Sequence, residues 1–348
     1  MLTGLDVPIV LAPMAGGPTT PELVAAVSGA GALGFLAGGY LDATALQATI
    51  AALRERTDRP FGVNLFLPDE RRDEGVAEYR ERLLRAGLAA GEPAWDDDNG
   101  YPGKLVLLLA DPVPVVSFTF GCPDAATVER LHAVGSQVLA TVTTPAEARL
   151  AAAAGVDALV VQGTEAGAHR AVFANDPADP SGGAEFGLLA LVRLVAAEVD
   201  LPLVAAGGIV DGAGVAAVLA AGAVAAQLGT AFLACPEAGT KPAHLAALTA
   251  PDPRGTAITR AFTGRPARGI RNAFLEAHTA AAPAAYPQVH HVTRPIRATG
   301  DPEVMSLWAG QGYPLVRRLP AAELVATLLS EAGDAAAAVT ARLGGGAR

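Results

Sequence analysis

The sequence predicts a (β/α)8 barrel (TIM barrel), an α/β fold in which eight parallel strands close into a ring inside a layer of helices. Short, wholly apolar runs alternate with alanine-rich helical segments along the chain. Buried strands of this kind are typical of a parallel sheet that helices cover. Eight such runs can be counted, which is the number that this barrel requires. A doubly wound open sheet is the alternative, because short strands are difficult to count from one sequence.

The predicted helices end in a repeated way. Several apolar runs follow a triplet of two small or apolar residues and a glycine, as at Ala133–Gly135, Ala153–Gly155 and Ala220–Gly222. Glycine provides the left-handed residue that ends a helix before a strand. The first helix should begin after Thr20, which can cap it, with Pro21 at the first helical position. The predicted strands are Val7–Ala12, Ala32–Leu36, Phe61–Phe66, Val113–Phe118, Gln137–Val142, Ala158–Val161, Leu203–Ala206 and Ala225–Leu228.

The barrel should occupy residues 1–240, and two segments depart from its alternation of strands and helices. Residues 68–104 form a charged, helical insertion in the barrel. Residues 241–320 follow the last strand, contain several prolines and show no such alternation. We expect this second segment to be a smaller, mainly helical region that covers the substrate. Residues 321–348 should form an alanine-rich helix that packs back on the barrel.

Composition and charge restrict the partners of the chain. Apolar residues make up 51% of 348 residues, charged residues make up 17%, and the net charge is −10. This balance argues against disorder, and without a basic cluster we expect neither nucleic acid nor a membrane as a partner. The N-terminus lacks the basic segment of a signal peptide. Cys122 and Cys235 form no metal-binding spacing, which predicts no metal site, and they suggest no structural disulfide, which fits a reducing cytoplasm. We expect a monomer or a homodimer.

The stretch Asp157–Arg170 (DALVVQGTEAGAHR) changes from apolar to polar where a predicted strand ends. Ligands bind at this edge of parallel sheets, although a merely polar surface loop is the alternative. His169 is suited to removing a proton from carbon or to pairing with an anion, because imidazole is neutral near pH 7. Glu165 and Arg170 could equally form a structural ion pair. The pair His290-His291 is either a solvated pair or a contact at the rim of the site.

Two further strand ends are rich in glycine. Gly207-Gly208 and Gly229-Thr230 follow the seventh and eighth predicted strands. In barrels these loops often bind phosphate through backbone N–H groups, although tight turns alone would also require glycine. Asn64 and Gln162 lie in or at the end of other strands. Their amides can bond a flat heterocycle without adding charge, as flavin recognition requires, although Asn64 could also be a satisfied core amide.

Together these motifs resemble the nitronate monooxygenase family, formerly called 2-nitropropane dioxygenases, whose members are FMN-dependent (β/α)8 barrels. The similarity covers nearly the whole chain. Each motif alone is moderately specific, but the combination is highly specific. The segments that carry it are PIVLAPMAG near the start, then FGVNLF, VVSFTFG, VVQGTEAGAHR, LVAAGGI and AAQLGTAF, and LWAGQ near the end.

The resemblance implies a set of site residues. His169 would be the active-site histidine, and Thr119 and Tyr286 would line the substrate pocket. Two positions depart from the family, since Ala168 and Ala171 stand where glycine is usual. The added methyl groups should affect the fit of the substrate more than flavin binding. The residues that would bind FMN are Met14, Asn64, Gln162, Gly167, Gly207, Gly208, Gln227, Leu228, Gly229, Thr230 and Gln311.

The resemblance also implies an activity. FMN and O2 would oxidise a small anionic nitronate, such as propionate 3-nitronate, to a carbonyl compound plus nitrite or nitrate, in a detoxifying role. Two enzyme alternatives share the barrel, an FMN-dependent enoyl-ACP reductase and an NADH:quinone reductase. A flavin-binding protein without turnover is a third alternative. No glycine fingerprint of a separate nicotinamide domain precedes a predicted helix.

Overall fold

In the computed structural model, which describes residues 4–344, eight parallel strands form one closed ring. Their order around the ring is β1-β9-β8-β6-β5-β4-β3-β2, and a bridge between Val10 and Leu33 joins the two end strands. The barrel is therefore confirmed, and the open sheet is excluded. The strands are β1 Ile9–Leu11, β2 Gly34–Ala37, β3 Phe61–Phe66, β4 Val115–Thr119, β5 Gln137–Val142, β6 Ala158–Gln162, β7 Ala168–His169, β8 Leu203–Ala206, β9 Ala225–Leu228, β10 Thr256–Thr259 and β11 Ala267–Ile270.

Alternate strand residues divide the core into two layers, because successive side chains of a strand point to opposite faces. One set packs inside the ring, and the other packs between the ring and the helices. Gly62 in β3 lacks a Cβ at the place where the ring of Phe35 fills the barrel, so a larger residue would overlap that ring. The interior layer includes Val10, Leu33, Phe35, Val115, Leu139, Val160 and Val204.

The helices begin and end as their sequences predict. Thr20 caps α1 by accepting a hydrogen bond from the backbone N–H of Leu23 at 3.0 Å. Gly135 and Gly155 each have a φ of 87°, the left-handed conformation expected where a helix ends before a strand. The helices are α1 Pro21–Gly29, α2 Ala43–Arg54, α3 Val76–Arg85, α4 Tyr101–Ala110, α5 Ala125–Ala133, α6 Pro145–Ala153, α7 Leu188–Ala196, α8 Gly212–Ala220, α9 Pro242–Leu248, α10 Ala273–His278, α11 Gln288–Arg297 and α12 Ala321–Gly344.

The segment after the barrel contains more than helices. β10 and β11 form an antiparallel hairpin, and β11 also pairs with β7 from the loop after β6. The hairpin was not predicted, and it connects residues 241–320 directly to the strand that carries His169. Helix α12 has the length and apolar composition of a membrane span, yet it packs on α8 and α1 through Leu324, Val325 and Leu328.

Candidate active site

A cavity of about 660 Å³ lies at the carboxyl ends of the barrel strands. Its floor consists of strand ends and the loops that follow them, and its cover comes from α11 and from residues 305–312. A cavity of this size is typical of small-ligand sites, and this face of a barrel is where such sites lie. The sequence-predicted residues that line it are Met14, Asn64, Thr119, Gln162, Gly167, His169, Gly207, Gly208, Gln227, Gly229 and Thr230.

Three other predicted residues do not line the cavity. Leu228 points outward and is 1% exposed in the core between strands and helices. The side chain of Gln311 is exposed to solvent, and only its backbone N–H contacts the site, donating to the carbonyl of Glu165 at 2.9 Å. Tyr286 is buried behind the wall, where its hydroxyl donates to Oδ1 of Asn99 at 2.8 Å. These positions follow from strand alternation and from tertiary packing, which a motif does not encode.

His169 lies on β7, opposite Ala267 of β11. Its Nε2 is 2.9 Å from Oγ1 of Thr263. Four aromatic rings surround the imidazole with centroid distances between 5.2 and 6.2 Å, and they shield part of the ring from water. They are Phe66, Phe120, Tyr286 and Trp308.

The imidazole of His169 is neutral at physiological pH. Burial lowers its pKa to about 3, and the positive charges of Arg265 and Arg297 act in the same direction. A neutral ring can donate one hydrogen bond and accept another, but it carries no charge toward the cavity. With no ligand bound, His169 is therefore an uncharged hydrogen-bonding group.

Three of the amides that line the cavity have different partners. Gln162 uses both ends of its amide to hold the His169 loop, donating to the carbonyl of His169 at 3.1 Å and accepting from the N–H of Ala171 at 2.9 Å. Asn64 donates to Ser117 and Thr119, which leaves its Oδ1 without a described donor. Within residues 4–344, the side chain of Gln227 makes no hydrogen bond. Gln227 and the oxygen of Asn64 are therefore available to a ligand.

The glycine loops approach each other too closely for side chains. Gly207 has a φ of 122°, and a Cβ there would lie 3.1 Å from the backbone N of Ala166. A Cβ on Gly167 would overlap the Ala309–Gly310 peptide, so this glycine is needed where residues 305–312 meet the loop after β6. The N–H of Gly310 also donates to Oγ1 of Thr230 at 3.0 Å. The glycines at these contacts therefore present backbone without side chains to the cavity.

A basic face of α11 also lines the cavity, and the sequence analysis missed its role. His290 is buried and stacks on Tyr40 with ring centroids 4.2 Å apart, so it is a cavity contact rather than a solvated residue. Arg297 donates to Nδ1 and O of His290 and to Oγ1 of Thr293. His290, Arg294 and Arg297 recur at helical spacing, and that periodicity could have identified this face.

Arg297 is half-buried and has no carboxylate partner among the ion pairs of residues 4–344. Burial lowers its pKa, which reflects the cost of keeping the charge away from water. Its Nη1 bonds to no described residue. A cation in this position favours a negatively charged ligand in the cavity.

Glu165 and Arg170 do not form the ion pair that was considered. The carboxylate of Glu165 accepts from the N–H of Leu188 at 2.9 and 3.1 Å, at the start of α7. The guanidinium of Arg170 donates instead to backbone carbonyls of Ser181, Gly183 and Ala184. Glu165 therefore holds the start of α7, and Arg170 holds the segment Ser181–Ala184 of the loop that precedes it.

The two alanines that replace the family's usual glycines differ in conformation. Ala168 has a φ of 60°, in the left-handed region where glycine is favoured. Ala171 is buried and does not have a positive φ. Only Ala168 therefore strains the backbone beside His169.

Fold and cavity together define a (β/α)8-barrel enzyme that acts on a small ligand at the carboxyl ends of its strands.

Comparison with known proteins identifies the family. A family model described as nitronate monooxygenase matches residues 1–331. A nitronate monooxygenase from Pseudomonas aeruginosa is 44% identical over 348 aligned residues, covering 95% of this chain and 97% of the relative. The chain belongs to the nitronate monooxygenase family and is an oxidoreductase.

Two solved structures are also similar. The nitroalkane oxidase from Streptomyces ansochromogenes superposes with a TM-score of 0.93 at 50% identity, covering 97% of this chain and 99% of the other. FabK from Thermotoga maritima superposes with a TM-score of 0.77 at 28% identity, covering 98% and 97% of the two chains. The barrel and its added segment are thus shared across the full length of these proteins.

Proposed function

We propose that this chain binds FMN and uses O2 to oxidise small anionic alkyl nitronates, of which propionate 3-nitronate is the expected substrate. The products are a carbonyl compound and nitrite or nitrate. The observation that carries the proposal is the pairing, in one cavity, of a neutral imidazole with the guanidinium of Arg297, which has no carboxylate partner among the ion pairs of residues 4–344. Family membership supports nitronate as the substrate class.

The residues of the cavity fit FMN. Its volume of about 660 Å³ is in the range of cofactor sites. Gly207, Gly208 and Gly229 line the cavity with backbone that a phosphate can approach. Cβ atoms at 207 and 208 would instead press on Ala166 and Glu165 in the loop after β6. Gln227 and the free oxygen of Asn64 offer uncharged partners for a flat heterocycle. When bound, FMN supplies the electron transfer between nitronate and O2.

The chain's own residues bind and orient the substrate. Arg297 pairs with the carboxylate of propionate 3-nitronate, and its bonds to His290 and Thr293 hold the guanidinium in place. His169 lines the same cavity beside the substrate, and Gln162 and Thr263 hold it in place. The aromatic rings around His169 exclude water from the reacting carbon.

An oxygen electrode tests the proposal. Purified protein reconstituted with FMN should consume O2 when propionate 3-nitronate is added and should not oxidise NADH. His169→Asn should lower kcat/KM by more than about tenfold, or roughly 1.4 kcal/mol of transition-state stabilisation. His132→Asn on the exposed face of α5 is the control and should leave turnover unchanged.

Other results would support the alternatives. Steady NADH oxidation without nitronate turnover would favour an FMN-dependent enoyl-ACP reductase or an NADH:quinone reductase. Tight FMN binding with no O2 uptake on any nitronate would indicate a flavin-binding protein without turnover.

A further inference from the structure

Thr263 lies in the turn between β10 and β11 and is fully buried against the imidazole of His169. Its Oγ1 is 2.9 Å from Nε2 of His169, 3.3 Å from the carbonyl oxygen of Arg265 and 3.4 Å from the N–H of Arg265. One hydroxyl therefore connects the active-site ring to the backbone of the hairpin. The direction in which the hydroxyl proton of Thr263 points determines which ring nitrogen of His169 is protonated.

A threonine hydroxyl has one proton to donate and two lone pairs that accept. The carbonyl of Arg265 can only accept, and the hydroxyl of Thr263 is its one described donor. If the hydroxyl proton points to this carbonyl, Nε2 of His169 must carry a proton and donate it to Thr263. The opposite arrangement would leave a buried carbonyl without a donor, which proteins rarely allow.

The carbonyl of Arg265 cannot easily move away from this bond. The side chain of Arg265 is fully buried, and its Nε donates to Oδ2 of Asp69 at 2.9 Å. Its Nη1 donates to the carbonyl of Val172 at 2.8 Å, and its guanidinium lies 4.1 Å over the ring of Phe120. The buried side chain of Arg265 thus fixes the position of its own carbonyl oxygen. The hydroxyl of Thr263 donates to that oxygen and therefore accepts from Nε2 of His169.

The other ring nitrogen of His169 is then the reactive one. Nδ1 makes no hydrogen bond with the described residues and is not among their buried, unpartnered atoms, so it is open to the cavity. With the proton on Nε2, Nδ1 presents a lone pair. A lone pair at this position can accept a proton from a ligand but cannot donate to an anion.

We propose that Thr263 is a positioning residue that holds His169 as the Nε2–H tautomer, so that Nδ1 removes the α-proton of a neutral primary nitroalkane. The C–H bond breaks, its electron pair stays on the substrate as the nitronate, and the proton goes to Nδ1. The imidazolium keeps its Nε2–H bond to Thr263. This inference rests on the proposed function only for the fate of the nitronate, which then enters the oxidation described above.

The first test needs no turnover. In protein with 15N-labelled histidine, the ring nitrogens of His169 are assigned from the signals that disappear in His169→Asn, and their shifts distinguish a protonated from a bare nitrogen. Wild-type protein at neutral pH should carry the proton on Nε2. Thr263→Val should shift His169 toward the Nδ1–H tautomer, whereas Thr263→Ser keeps a hydroxyl and should retain Nε2–H. A proton on Nδ1 in the wild type, or an unchanged tautomer in Thr263→Val, would overturn the proposal.

The second test separates proton abstraction from oxidation. Nitroethane requires removal of the α-proton, whereas preformed ethyl nitronate does not. The ratio of kcat/KM for nitroethane to that for ethyl nitronate should fall at least about tenfold in Thr263→Val and recover in Thr263→Ser. Thr327→Val on the exposed face of α12 is the matched control and should leave the ratio unchanged. An equal loss on both substrates would mean that Thr263 is merely structural and would refute the positioning role.

Discussion

The chemistry of the cavity depends on which side chains already have partners. Gln162 uses its carbonyl oxygen and one N–H on the His169 loop, whereas Gln227 retains both ends of its amide for a ligand. Arg297 has neutral acceptors but no carboxylate. The sequence could identify His169 and these amides as residue types at strand ends. It could not predict which of them were already bonded, because that depends on contacts between distant segments.

Arg297 should determine the preference for a carboxylate-bearing substrate. Arg297→Met keeps much of the side-chain volume and removes the charge, so KM for propionate 3-nitronate should rise about 10- to 100-fold, as expected for a lost bond to a charged group. KM for ethyl nitronate, which lacks the carboxylate, should change less than about threefold. Arg149→Met, which removes an exposed ion pair with Glu198, is the control. Steady-state kinetics on both substrates measure this preference. An equal rise in KM for both would contradict the role of Arg297 as the partner of the substrate carboxylate.

Ala168 stores backbone strain next to the histidine. Its φ of 60° is favourable for glycine and costly for alanine. Ala168→Gly should raise the free energy of unfolding by about 0.5–1 kcal/mol, measured in urea. Ala336→Gly, on the exposed side of α12, should lower it by about 1 kcal/mol, because glycine is unfavourable within a helix. Destabilisation by both substitutions would mean that the strain at Ala168 is absent.

At the scale of elements, the site is assembled where residues 305–312 meet the loops after β6 and β9. The N–H of Gln311 donates to Glu165, the N–H of Gly310 donates to Thr230, and Gly167 allows the close approach. The closing segment therefore holds the cavity through its backbone, and the side chain of Gln311 is exposed to solvent.

Gly167→Ala tests this backbone contact. The new methyl group would overlap the Ala309–Gly310 peptide and displace the cover of the cavity, so FMN should bind at least about tenfold more weakly, or roughly 1.4 kcal/mol. Gly333→Ala in α12 has open space around its Cβ and should leave FMN affinity unchanged while adding up to about 1 kcal/mol of stability. FMN affinity measured by flavin fluorescence would contradict the account if Gly167→Ala bound as the wild type does.

The elements differ in how far the sequence could predict them. The barrel strands were predicted within two residues at each end, because their apolar runs and glycine stops are local signals. The strands β7, β10 and β11 were missed. Ala168–His169 is two residues long and becomes a strand only by pairing with Ala267–Arg268, almost a hundred residues later. No local pattern encodes such a pairing.

At the scale of the whole molecule, buried neutral histidines should make the fold sensitive to acid. Burial lowers the pKa of His169 to about 3, of His244 to about 4 and of His290 to about 2, against an ordinary value of 6.5. Below pH 6.5 the unfolded chain binds protons that the folded chain does not. Stability should therefore fall as the pH drops from about 6.5 toward 4, by at most about 1.4 kcal/mol per histidine per pH unit.

Urea unfolding at pH 7 and pH 5 measures this effect. The midpoint should be lower at pH 5, and His290→Gln should reduce the difference, because it removes one of the histidines whose pKa burial lowers. An equal midpoint at both values of pH in the wild type would contradict the burial of neutral histidines.

The central claim is that the cavity binds FMN with its phosphate on the glycine loops after β8 and β9. Titration of the apoprotein with FMN and with riboflavin, followed by quenching of flavin fluorescence, tests it most directly. We predict one FMN per chain and at least about tenfold weaker binding of riboflavin, which lacks the phosphate and so loses roughly 1.4 kcal/mol or more. Failure to bind FMN, or equal affinity for the two flavins, would contradict the account.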